Sequence, residues 1–201
     1  MGTFASALQH WRLTIAGGGR DTRVVARRRR GKTVCAGGAD PASARGPSAS
    51  QLDGAMDERA QLLAELQRVF PPIVVPERAA PHVCPECDDI SNALAQRDWT
   101  EVPSDFIAAN SGVLPLLSES AYGAYLPAWL REGLQHPDDD VATMLFYNLS
   151  DSPPTGPFTS AQGRVIAAVA KAICAASVWS DDPVRIEHVA TIERIWTERA
   201  V

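Results

Sequence analysis

Long hydrophobic runs are missing from this 201-residue chain. No stretch approaches the ~18 apolar residues that a membrane-crossing helix needs, so no span of a bilayer is expected. The N-terminus also lacks the apolar core of a secretory signal, which points to a cytoplasmic setting. Cysteine is scarce. Four of them (Cys35, Cys84, Cys87, Cys174) in a chain this long do not suggest a disulfide scaffold. There is no GxSxG, no HExxH and no glycine-rich nucleotide loop, so the commonest hydrolase, metalloprotease and dinucleotide signatures are absent. Strict apolar/polar alternation is lacking too, and the only strand-like piece is Ile73-Val74-Val75. No internal repeat is visible.

Positive charge is in short supply over most of the length. Residues 1–55 carry nine Lys/Arg against three acids, whereas residues 56–201 carry ten against 21, a net charge of −11. Nine of the 14 glycines also fall in the first 55 residues. The composition therefore divides the chain. Residues 1–55 read as a disordered, basic, Arg/Gly/Ala-rich tail, and residues 56–201 as a single helical domain. An acidic domain is a poor nucleic-acid binder, because phosphates demand clustered positive charge.

The tail contains Ala26-Arg27-Arg28-Arg29-Arg30-Gly31-Lys32-Thr33. Its end resembles a phosphate-binding loop, but Ala26 replaces the first glycine and four arginines oppose a tight wrap. A targeting peptide or a nucleic-acid arm would also fit an Arg-rich, acid-poor segment. The simplest reading is an over-extended start, with translation beginning at Met56, directly before the helical sequence DERAQLLAELQRVF.

From there helix signals follow in order. Leu62, Leu63, Leu66, Val69 and Phe70 make one face of a helix over about 57–70, stopped by Pro71-Pro72. Residues 71–83 hold four prolines and read as an extended link, with Ile73–Val75 pinned to the core or forming a short edge strand. A helix from Cys84 places Pro85 at the first helical position, where its missing N–H is not needed. Ile90, Ala93 and Leu94 would face inward, and Trp99 would anchor its end. Ser104 is a candidate cap for a short helix to Asn110. The stretch AYGAYLPAWL (121–130) sets Tyr122, Tyr125, Leu126, Trp129 and Leu130 on one helical face, with Ser118 or Ser120 as cap and Pro127 predicting a kink or restart. His136-Pro137 ends it, and Asp138, Asp139 and Asp140 open the next helix, to about Leu149. Thr159 and Gln162 form a capping box for an alanine-rich helix to about Ser177. Asp181-Asp182-Pro183 start the last, with Val189, Ile192, Ile195 and Trp196 buried. The fold class is all-α, a compact bundle of about six helices.

The sharpest chemical signal is His82-x-Cys84-x-x-Cys87. Two thiolates at C-x-x-C spacing grip one zinc ion, and His82 is close enough to be a third ligand. A structural site needs a fourth, for which Asp88, Cys174, His136 and His188 are candidates. A three-ligand site would leave a position for water, as catalytic zinc does. Two other readings stay open. Cys84 and Cys87 continue the Ile90/Leu94 stripe and would serve as small core residues. A redox pair is favoured by the helix N-terminus but opposed by Glu86, Asp88 and Asp89. The triple Asp138–Asp140 lacks the alternating ligands and glycine of a calcium loop, so capping explains it better. Glu187-His188 has acid/base capacity, but sequence places no nucleophile beside it.

These features together resemble a family. His82-Val83-Cys84-Pro85-Glu86-Cys87 with Asp88-Asp89, the downstream Trp99, the AYGAYLPAWL stretch and Phe158-Thr159-x-x-Gln162 are similar to the bacterial domain-of-unknown-function family numbered 6714. The resemblance covers about residues 63–178. It implies a small bacterial helical protein and carries over no activity and no catalytic residue. The expected function is a non-enzymatic protein-interaction module, immunity-like or adaptor, whose acidic surface would favour a basic partner. The alternative is a zinc domain or enzyme centred on His82, Cys84 and Cys87.

Overall fold

The computed structural model describes residues 49–151 and 156–198. The described residues belong to one compact unit. The expectations for the tail over residues 1–48, its arginine run and Cys35 included, lie outside them. Among the described residues there are seven α-helices, one 3-10 turn and no strand. They are α1 (Ala49–Val69), α2 (Pro85–Leu94), α3 (Ser104–Ala109), the 3-10 turn (Leu114–Leu116), α4 (Glu119–Gln135), α5 (Asp140–Asp151), α6 (Ser160–Ala176) and α7 (Pro183–Glu198). The all-α expectation holds.

Helix α4 is the hub. It packs on α1, α3, α5 and α6, while α6 and α7 pair along their length. The Tyr/Trp stripe is core, since Tyr122, Tyr125, Leu126, Trp129 and Leu130 are all buried. The polar tips of Trp99, Trp196 and Tyr125 have a common task. The last carbonyls of a helix have no partner within it. Trp99 Nε1 donates to Phe70 O (2.9 Å), just past α1, and Trp196 Nε1 donates to Leu149 O (3.0 Å) near the end of α5. Tyr125 Oη lies 3.0 Å from Leu94 O, the last carbonyl of α2, and 3.1 Å from Arg97 O. Gln162 adds a fourth such bond, from Nε2 to Val69 O (3.2 Å). Large side chains thus bury area and complete helix ends at the same time.

Several boundaries differ from the sequence expectation. Helix α1 begins at Ala49 rather than Asp57, so Met56 lies inside it. Helix α4 runs through Pro127 without restarting. Pro127 gives no N–H to the Gly123 carbonyl, but packing on four neighbours outweighs that one bond. Ile73–Val75 form no strand. Val75 is buried, and Ile73 and Val74 are exposed in an extended link with no second strand to pair with. Ser104 is the first residue of α3 and not its cap; Pro103 holds the cap position without a side-chain bond. Two other expected caps are present. Ser118 Oγ accepts from Ala121 N (3.2 Å), and Thr159 and Gln162 form the capping box.

The expected capping role does not describe Asp138, which lies before α5 and uses its carboxylate elsewhere. Its Oδ1 accepts from Ser177 Oγ and from Val178 N, both at 2.8 Å. These two donors hold its carboxyl below the ordinary range. Buried Arg185 donates to the same Ser177 Oγ (2.8 Å), to Thr143 Oγ1 (2.9 Å) and to Pro137 O (3.3 Å). The start of α5 and the α6–α7 turn are closed by this network.

Candidate metal centre

The link between α1 and α2 brings His82 to the first turn of α2, where Cys84 and Cys87 sit. Cys84 is the N-cap of α2, and its Sγ accepts from Cys87 N (3.3 Å). Pro85 follows at the first helical position as expected. One turn on, Cys87 lies on the inner face with Ile90 and Leu94 and is 2% exposed. His82 is exposed and Cys84 half-buried. The cluster therefore straddles the edge of the core, with one thiol inside and the imidazole in solvent.

The three side chains converge. The donor atoms of His82, Cys84 and Cys87 all lie within 4.8 Å of one another, and His82 Nδ1 is 3.9 Å from Cys87 Sγ. A bound zinc, with Zn–S of about 2.3 Å and Zn–N of about 2.0 Å, sets its donors roughly 3.5–4 Å apart. Coordination would need only a slight closing of the triangle. The two thiols differ electrostatically. The Cys87 N–H, then the His82 ring and the Cys87 side chain, hold Cys84 below its ordinary value. Burial, followed by the adjacent Cys84 sulfur, pushes Cys87 up to about 11.

A residue with no signature in the sequence organises the loop. Arg78 Nε donates to Ala80 O (2.7 Å), Arg78 Nη2 donates to His82 O (3.0 Å), and Nη2 also pairs with Asp88 Oδ1 on α2. Ala80 N donates to Ser91 Oγ (3.1 Å), and Ser118 N donates to Ala79 O (2.8 Å). The link is thus stapled to α2 and to the start of α4. The available clue was the accounting rule for backbone groups. A proline-rich link with no ladder leaves carbonyls that a side chain must satisfy, and Arg78 is the cation nearest in sequence.

None of the four candidate fourth ligands joins the triangle among the described residues. Asp88 is taken by Arg78. Cys174 is buried in α6, where burial raises its pKa. His136 Nε2 lies 3.6 Å from Glu132 Oε1. His188 Nδ1 is 2.7 Å from Ser150 Oγ, and its ring meets Tyr147 edge-on at 4.9 Å. That last contact places a hydroxyl beside the histidine of Glu187-His188, a juxtaposition the sequence did not show. Ser150 is buried, and its hydroxyl also lies 2.8 Å from Phe146 O and from Asp151 Oδ1, so it is held within the fold rather than presented to a substrate. No protein-family model, curated protein or solved structure matches the chain, so its own chemistry carries the functional reading.

Proposed function

We propose that this domain binds a thiophilic transition-metal ion through His82, Cys84 and Cys87. The convergence of these three donor atoms within 4.8 Å supports the reading. Two thiolates and an imidazole are the donor types that such ions select. The ion would tie the α1–α2 link to the first turn of α2, adding to the work of Arg78. Titration with cobalt(II) under reducing conditions tests this. The full chain is expected to develop a thiolate-to-cobalt charge-transfer band saturating at one equivalent. That band is expected to vanish in Cys84→Ser/Cys87→Ser and to survive in Cys174→Ser. An unchanged band in the double variant, or binding of neither cobalt(II) nor copper(I) by the parent chain, refutes the assignment.

A second reading, the immunity-like or adaptor module with a basic partner, is supported by the α6–α7 turn. Val178 is 77% and Trp179 55% exposed there, beside Asp181 and Asp182. An exposed tryptophan with acidic neighbours suits an apolar anchor on a basic surface. Pull-downs with Trp179→Ala and with Asp181→Lys/Asp182→Lys test it. A specific protein lost from both variants supports this reading, and retention by both refutes it.

A further inference from the structure

Resting on the metal reading, we propose that the resident ion is copper(I), held in a three-coordinate site by Cys84, Cys87 and His82. Zinc in protein sites is almost always four-coordinate. Here three donors meet, and no fourth histidine, cysteine or carboxylate among the described residues belongs to the group. Of the carboxylates beside the cysteines, Glu86 is exposed and lies outside the group, and Asp88 is held by Arg78. Turning Asp88 toward the sulfurs would break its ion pair with Arg78, the arginine that also holds the His82 carbonyl. Zinc would have to complete its shell with water from the exposed side.

Copper(I) has no such need. It is a soft, monovalent ion that thiolates select, and roughly three soft donors satisfy it. Among the described residues the group supplies two sulfurs and one nitrogen. Its placement suits the ion as well. Cys87 is buried against Ile90 and Leu94, which keeps one sulfur away from solvent oxidants. His82 and Cys84 lie on the open side, with the next residue Val83 83% exposed, so the ion has a path in and out. The complex would carry one negative charge among Glu86, Asp88 and Asp89. Arg78 neutralises Asp88, while Glu86 and Asp89 are exposed and screened by water.

The test is a pair of competitions on the full reduced chain under anaerobic conditions. Bathocuproine disulfonate competes for copper(I), and 4-(2-pyridylazo)resorcinol competes for zinc. We expect one equivalent of copper(I) to be retained against a tenfold excess of its chelator and zinc to be surrendered. X-ray absorption of the copper form is expected to show two sulfurs and one nitrogen. His82→Ala, an exposed position that leaves the core untouched, is expected to lower copper retention at least tenfold and to remove the nitrogen. Cys35→Ser is expected to change nothing. Zinc retained while copper(I) is lost, a fourth donor in the copper spectrum, or loss of retention in Cys35→Ser overturns the copper assignment while leaving a metal site in place. Binding of neither ion overturns the metal reading itself.

Discussion

Arg78 is the residue on which the geometry of the candidate site most depends. It touches two backbone carbonyls of the link and one carboxylate of α2, so it sets His82 relative to the cysteines without being a ligand. Half-exposed ion pairs of the Arg78–Asp88 type add at most about 1 kcal/mol to stability. Residues that orient ligands commonly change metal affinity by roughly 10- to 100-fold. Arg78→Ala is therefore expected to weaken metal binding by about that factor while the apo melting temperature moves only slightly. Chelator competition beside calorimetry checks this, and equal losses in both would show Arg78 to be structural only. Asp138 gives a prediction of another kind. Its folded pKa lies below the ordinary value of about 3.9, so its stabilising effect is complete above that value and is lost as pH falls through the folded pKa. Asp138→Asn is expected to be less stable than the parent at pH 7, by a margin that shrinks at pH 3. Denaturant titrations at the two pH values test this, and a constant difference would contradict it.

At the scale of elements, close approach between helices matters as much as apolar area. A Cβ built on Gly163 of α6 would stand 2.1 Å from Trp196 O of α7, a backbone atom with no freedom to turn aside. Gly163→Ala is therefore expected to push the two helices apart and to cost about 1–3 kcal/mol, as overpacking does. Thermal unfolding checks it, and an unchanged or raised melting temperature would contradict it. The elements were legible in the sequence where periodicity and capping agree. The Tyr/Trp stripe of α4, the Thr159/Gln162 box and the Pro85 start of α2 are all where the pattern put them. They were not legible where tertiary packing overrides a local rule. Pro127 stays helical because α4 is held on several sides, and Ile73–Val75 lack a partner strand. The glycine contact at Trp196 has no local signature at all.

For the whole molecule, the site was legible in part. His82, Cys84 and Cys87 are neighbours along the chain, so a turn and a helix start were enough to bring them together. The expected fourth ligands were not within reach, because Asp88, Cys174, His136 and His188 each have other surroundings set by the fold. The Arg78 staple and the Asp138–Ser177–Arg185 network involve residues brought together by tertiary structure, which no spacing rule encodes. The bundle thus builds an acidic domain in which the convergent set of soft donors found among the described residues lies at its surface edge, on a link fastened at both ends. The central claim is that these donors hold an ion. Native mass spectrometry of the reduced, metal-supplemented full chain tests it most directly, because it weighs the ion and the protons it displaces. The account predicts one ion per chain, with two protons lost from Cys84 and Cys87, and none in Cys84→Ser/Cys87→Ser. A spectrum holding only the apo mass, or an ion kept by the double variant, would contradict it.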